Sequence, residues 1–224
     1  MIQTQPAIEA ADVCYRYPKS KDFVIKNASF AFYQGEFTAI TGENGAGKTT
    51  LAKLCTAILK PASGKIEVYG ENIQNMQISQ IAADVCYCFQ HPSRQLFAAT
   101  VEDEVAFALR YKGASEVEIQ ARVQKMLELF GLSHLRKCFP LQLSGGEQQR
   151  LAMAAGLALK PRFLLLDEPT ACLDTGKVAE LSALLKQLIQ GEQIGVAVIS
   201  HDNSFVQKNA DKVLTVRGGT VYAE

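Results

Sequence analysis

The spacing of apolar positions changes along the chain, and each change predicts a different element. In Val13-Cys14-Tyr15-Arg16-Tyr17 the residues Val13, Tyr15 and Tyr17 fall on one face, and Pro18 ends the run, as expected of a half-buried strand. Ala28–Phe32 and Phe37–Thr41 read as strands around Tyr33-Gln34-Gly35-Glu36, where a hairpin turn is expected. A helix starting at Thr49 should end near Lys60-Pro61, because proline disfavours a helical residue before it. Gly64–Tyr69 predicts a strand followed by a turn at Gly70-Glu71-Asn72, and Val85–Gln90 predicts another strand.

Between Ser93 and Leu159 the period becomes helical. Ser115-x-x-Glu118 and Ser144-x-x-Glu147 are capping-box patterns, each opening a helix. Ile119, Val123, Met126, Leu127 and Phe130 recur on one helical face, and Gly131 closes it. From Pro161 strands and helices alternate: strand Phe163–Leu166, helix Lys177–Gln190, strand Ile194–Ile199, a short helix, then strand Val213–Arg217 leading into a hairpin-like end at Tyr222. Alternation of this kind predicts an α/β fold with a mainly parallel sheet covered on both faces. One core, residues 1–92 and 159–224, is expected to be interrupted by a helical insertion, 93–158.

Composition narrows the function. The 224 residues carry 23 basic and 23 acidic side chains, so no broad electrostatic footprint for nucleic acid is expected. The longest apolar run, Leu151–Leu159, falls far short of the roughly 20 residues of a membrane helix. Met1-Ile2-Gln3-Thr4-Gln5-Pro6 has neither a basic region nor an apolar core, so no secretory signal is expected. A soluble, cytoplasmic protein is the expectation. Cys14, Cys55, Cys86, Cys88, Cys138 and Cys172 are scattered without zinc-site spacing and read as core thiols. On a strand, Cys86 and Cys88 would face the same side.

Three segments carry chemistry. Gly42-Glu43-Asn44-Gly45-Ala46-Gly47-Lys48-Thr49, followed by Thr50, satisfies the phosphate-loop pattern between a strand and a helix. Its glycines let backbone N–H groups turn inward around phosphates at a helix N-terminus. Lys48 would reach the outer phosphates, and the Thr49 hydroxyl would ligate magnesium. At the end of Phe163-Leu164-Leu165-Leu166, Asp167 would serve the metal directly or through water, and Glu168 would orient or deprotonate the attacking water. Leu143-Ser144-Gly145-Gly146-Glu147-Gln148-Gln149-Arg150 sets serine and glycines at a second helix start. That arrangement fits a simple cap or a second phosphate clamp.

Together these segments resemble the ATP-binding cassette (ABC) ATPase family over essentially the whole chain. The resemblance implies a phosphate-loop nucleotide-hydrolase core with an N-terminal antiparallel β subdomain and an inserted helical subdomain bearing the signature. ATP and Mg2+ are the implied cofactors. Gln90 matches the family's glutamine loop, which senses magnesium and water, and His201 matches the histidine that contacts the γ-phosphate. Asp174, in Ala171-Cys172-Leu173-Asp174, matches the dimer-contacting loop, although Cys172 departs from the usual residue there. Tyr17 matches the aromatic that stacks on adenine, with packing beside Tyr15 as the bland alternative. His91 and His134 read as ordinary loop histidines. In this family two cassettes dimerise head to tail, so Ser144, Gly145, Gly146 and Glu147 would contact ATP held by a partner cassette, identical or homologous.

Phe89-Gln90-His91-Pro92-Ser93-Arg94-Gln95-Leu96-Phe97, then Thr100-Val101 and Val105-Ala106-Phe107, is similar to the ATPases of energy-coupling factor (ECF) importers of vitamins or transition-metal ions. That resemblance implies integral membrane partners and peripheral attachment at the cytoplasmic face of the membrane. Gln90–Phe107 is expected to line the groove that receives a membrane-subunit helix, because Gln90 is a site residue and Leu96 and Phe97 follow a Pro-containing turn that would expose them. Packing of both into their own subdomain core is the alternative. Many such relatives extend beyond the position where this chain stops, Glu224. The nearest other reading is the ATPase of an exporter or a classical importer. A soluble ABC protein acting on nucleic acid, and a nucleotide switch or small-molecule kinase, fit less well. The first lacks its second cassette or coiled coil, and the second would leave the signature helix without a role.

Overall fold

A computed structural model describes residues 5–171 and 173–223; Met1–Thr4, Cys172 and Glu224, with what was expected of them, lie outside the described residues. The described residues form two sheets. In the first, β2 (Ile25–Phe32), β1 (Ile8–Tyr15), β4 (Ser63–Val68) and the two-residue β5 (Glu71–Asn72) pair antiparallel in that order. The second runs β10 (Thr220–Ala223), β9 (Lys212–Arg217), β3 (Phe37–Thr41), β8 (Gly195–Ile199), β7 (Phe163–Asp167), β6 (Val85–Cys88). Every pairing in it is parallel except the closing β9–β10 hairpin.

The burial period explains this division. β1 and β2 bury alternate positions over much of their length, as strands with one wet face do, whereas β7 and β8 are buried at every residue. Their alternate residues enter two cores. Leu164, Leu166, Val196 and Val198 pack with the helices of the insertion, while Phe163, Leu165, Ala197 and Ile199 pack against the antiparallel sheet. The helices are α1 (Lys48–Cys55), α2 (Ile78–Asp84), α3 (Val101–Tyr111), α4 (Glu116–Leu129), α5 (Gly145–Leu157), α6 (Thr175–Glu192) and α7 (Asn203–Asn209). Both expected capping boxes form, Ser115 with Glu118 and Ser144 with Glu147. No described helix is long and apolar enough to cross a membrane.

Four local expectations need correction. Residues 33–36 do not close a hairpin: β2 and β3 belong to different sheets, and the near-continuous burial of β3 places it inside the parallel one. The helix after the phosphate loop ends at Cys55, because the Thr56 hydroxyl donates back to the Ala52 carbonyl and Ala57 turns left-handed at φ 54°. Glu71-Asn72 is strand, not turn; the reversal falls at Tyr69-Gly70, both left-handed. The strand expected to run on to Tyr17 ends at Tyr15, and Tyr17 lies beyond it.

Cys86 and Cys88 do face one side, with Sγ atoms 3.9 Å apart. The contact with Cys86, together with burial, pushes the Cys88 thiol well above its usual range. Gly156 of α5 makes room for the pair, since a Cβ there would lie 2.1 Å from Cys86 Sγ. Gly156→Ala should therefore cost about 1–3 kcal/mol in urea denaturation. Adding Cys86→Ala should recover most of that loss, and a neutral single substitution would show that helix and strand can separate without cost.

Candidate nucleotide site

The parallel pairing sets the carboxyl ends of β3, β6, β7 and β8 along one edge, the usual ligand-binding edge of such sheets. The segments leaving them are Gly42–Thr49, Phe89-Gln90, Asp167-Glu168 and Ser200-His201. They border a cleft of about 590 Å3 whose lining includes Tyr17, Asn44, Gly45, Gly47, Lys48, Thr49, Thr50, Gln90, Asp167, Glu168 and His201. Val24 and Ile199 complete the wall and were not singled out in the sequence, where an apolar residue gives no chemical signal.

Glycine is required in the loop for a physical reason. Gly42 has φ 136°, and a Cβ on it would lie 2.2 Å from the Val216 carbonyl oxygen. Gly47, left-handed at φ 109°, precedes α1 without any side-chain cap, so the first N–H groups of that helix have no capping side chain. Glu43 and Ala46 belong to the loop without lining the cleft, and Ala46 N–H closes its turn onto the Glu43 carbonyl at 3.2 Å.

Lys48 is 6% exposed, and its Nζ donates to the carbonyls of Gly42 (2.8 Å) and Glu43 (2.9 Å). Burial lowers its pKa, while Glu168 and Asp167 pull it back up. Asp167 is 1% exposed; its Oδ2 accepts from the Tyr87 hydroxyl at 3.0 Å, and its Oδ1 is buried without a hydrogen-bond partner. Glu168 adopts a left-handed φ of 51°, held by its N–H donating to the Ile199 carbonyl at 3.0 Å. A strained non-glycine residue beside a cleft is typical of functional positions. Burial raises the Glu168 carboxyl above its usual range, and His201, Lys48 and a backbone hydrogen bond oppose the shift. His201 Nε2 stands 3.1 Å from Glu168 Oε1.

A magnesium ion fits this donor set. Thr49, Gln90 and Asp167 offer hard oxygens on one cleft, and Asp167 Oδ1 is an orphaned buried acceptor. Among the described residues no cluster of three or more His, Cys, Asp or Glu could hold a metal alone. Magnesium needs none, because it is ordinarily bound through one or two carboxylates together with substrate phosphates.

Tyr17 is 39% exposed, shares a hydrogen bond with Thr50 Oγ1 at 3.0 Å, and meets the edge of Tyr15 with ring centroids 5.1 Å apart. It packs beside Tyr15, the alternative weighed for it, and the same residue also lines the cleft. The signature stands elsewhere. Ser144 N–H and Oγ both donate to Glu147 Oε2, at 2.8 and 2.7 Å, which lowers the Glu147 pKa. Among the described residues none of 143–150 lines the cleft. Gly146 instead approaches Leu173, and Asp174 caps α6 by accepting from Lys177 N–H at 2.9 Å.

An open α/β site with a phosphate loop, a buried acid and a strained neighbouring glutamate defines a nucleotide hydrolase. Comparison with known proteins makes this specific: the ABC transporter family model matches residues 25–171. The energy-coupling factor transporter ATP-binding protein EcfA1 of Geobacillus kaustophilus is 34% identical over 220 residues, covering 98% of this chain and 78% of that protein. Among solved structures, cbiO1 from Clostridium perfringens, part of the ABC transporter complex cbiONQ, superposes with a TM-score of 0.88 at 33% identity, covering 97% and 87% of the two chains. A dimeric ATP-binding cassette in a post-hydrolysis state, bound to ADP and Pi, gives 0.87 at 26% identity and 97% of both chains. The chain spans 29% of the length of a putative ABC transporter ATP-binding protein of Bifidobacterium longum, to which it is 37% identical. This chain belongs to the ABC transporter family and is an ATPase cassette of that family.

The desolvated carboxyl of Glu168 has a measurable consequence. As pH falls Glu168 should take up its proton above the ordinary glutamate range. Infrared difference titration of the wild type against Glu168→Gln isolates that one carboxyl. Titration within or below the ordinary range would contradict the burial argument.

Proposed function

We propose that the chain is the ATP-hydrolysing motor of a membrane importer of the ECF type, taking up a vitamin or a transition-metal ion. It works as a pair of cassettes beneath integral membrane subunits, held peripherally at the cytoplasmic face. The similarity to EcfA1 and to cbiO1 of a cbiONQ complex supports the ECF reading. The resemblance of the 89–107 segment points the same way. An exporter or classical importer remains the second reading.

In this mechanism Lys48 and the loop N–H groups hold the phosphates of ATP, and Tyr17 stacks on the adenine. Thr49, Gln90 and Asp167 would hold magnesium, which would supply charge neutralisation to the phosphates. Glu168 takes the proton of the attacking water, and its burial favours that role by raising its proton affinity. His201, beside Glu168, faces the γ-phosphate.

One observation carries the cassette pair: the signature segment 143–150 is outside the cleft lined by Lys48, Thr49, Gln90, Asp167, Glu168 and His201. A second cassette, docked head to tail, supplies Ser144, Gly145, Gly146 and Glu147, with Asp174 near the junction. ATP then joins the two copies, and hydrolysis releases them by removing the closed state's extra affinity. Glu168→Gln should slow hydrolysis by roughly 10²–10⁴ and let ATP trap a dimer in analytical ultracentrifugation. Adding Ser144→Arg should abolish the dimer while ATP still binds each monomer. Loss of ATP binding by the monomer would show that Ser144 belongs to its own chain's site.

The docking groove needs one correction. Leu96 is packed into the core at 5% exposure, while Phe97 is 63% and Phe107 50% exposed, with rings edge to face at 4.7 Å. Buried Glu104 sets this geometry by accepting from the N–H groups of Phe97 and Ala98 at 2.9 and 2.8 Å. The two exposed rings are the better docking pair. Phe97→Ser with Phe107→Ser should leave thermal stability and ATP binding nearly unchanged yet prevent assembly with the membrane subunits, scored by copurification in mild detergent. Normal assembly would remove this surface from the coupling path.

A further inference from the structure

We infer that Tyr87 is a positioning residue for magnesium: it holds one oxygen of Asp167 so that the other remains available to the metal. The inference rests on the reading of Asp167 as the metal-side carboxylate. Register explains the contact. Tyr87 on β6 pairs with Leu165 on β7, and Asp167 lies two residues further along the same face. A diagonal neighbour at that distance is within reach of an aromatic side chain. The Tyr87 hydroxyl donates to Asp167 Oδ2 at 3.0 Å, and Oδ1 is left as the uncommitted acceptor.

Packing alone does not account for the hydroxyl. The Tyr87 ring meets Phe89 edge on at 5.0 Å, and a phenylalanine would make the same ring contact. What the oxygen adds is the bond to Asp167. That bond also ties two metal-side groups together, because the chain leaving β6 reaches Gln90 three residues after Tyr87, and both residues border a second hollow with Thr49 and Asp167. Removing the donor would free a buried carboxylate to rotate and leave both of its oxygens competing for partners.

The test uses the full chain, a fluorescent ATP analogue and MgCl2. Tyr87→Phe should bind the analogue in EDTA within about twofold of wild type. The Mg2+ concentration that half-completes the gain in affinity should rise roughly tenfold, the scale of one hydrogen bond to an ionised group. Para-aminophenylalanine at position 87, which restores an N–H donor, should return that concentration to within about threefold of wild type; a merely structural role would not produce this rescue. If Tyr87→Phe fails to fold, para-methylphenylalanine, which fills the oxygen's space without a donor, takes its place. An unchanged Mg2+ requirement in the donorless variant overturns the proposal. Asp167→Asn separates the two levels of the argument. If it keeps wild-type Mg2+ dependence, the metal-side reading and the proposal fall together. If it loses that dependence while Tyr87→Phe does not, only the role of Tyr87 falls.

Discussion

The site depends on the full burial of β7 between two cores. Every residue from Phe163 to Asp167 is buried, so the strand delivers an acid pair out of a low-dielectric interior. A charge there must be partnered or neutralised. Tyr87 partners one oxygen of Asp167, and Lys48 lies close enough to both acids for each to raise its pKa. Glu168, one residue further and strained, is left with a raised proton affinity. Moving β7 to an edge of the sheet would hydrate these groups and remove the tuning along with the geometry.

Parallel pairing is the companion constraint. Antiparallel neighbours would send alternate strand ends to opposite edges, and the phosphate loop, Gln90, Asp167 and His201 would separate. β3, β6, β7 and β8 instead end together, which turns four distant segments into one cleft. The antiparallel sheet does different work. It covers one face of the core and brings Tyr17, just past β1, to the rim beside Thr50.

The inserted helices solve a separate problem. The capping box of Ser144 and Glu147 satisfies the start of α5 within its own chain, so the fold does not need a ligand there. Both readings of the segment are therefore compatible: a cap that makes a stable helix end also presents that end on the surface. Gly156, near the other end of α5, presses the helix against the strand that leads to Gln90. The signature helix and the glutamine segment are thereby packed together inside one chain.

How much was legible in the sequence follows the range of the interactions. The phosphate loop, the capping boxes and the acid pair after an apolar strand were readable because each is set by neighbouring residues: glycine torsions, i to i+3 hydrogen bonds, and continuous burial. The resemblance to the ABC family rested on those same local patterns, and the fold and family comparison agree with it. What only the tertiary structure decided is long-range. Two strands joined across Gly35 look like a hairpin until the burial of β3 shows that it belongs to another sheet. Leu96 and Phe97 are equivalent apolar neighbours in sequence, yet the Glu104 hydrogen bonds turn one inward and one outward. In the sequence Tyr87 is only a tyrosine between two cysteines, and its bond to an aspartate 80 positions away exists only once register brings β6 against β7. Local patterns fix torsions and caps within a few residues; which distant groups meet is set by sheet order and burial, which a linear pattern does not encode.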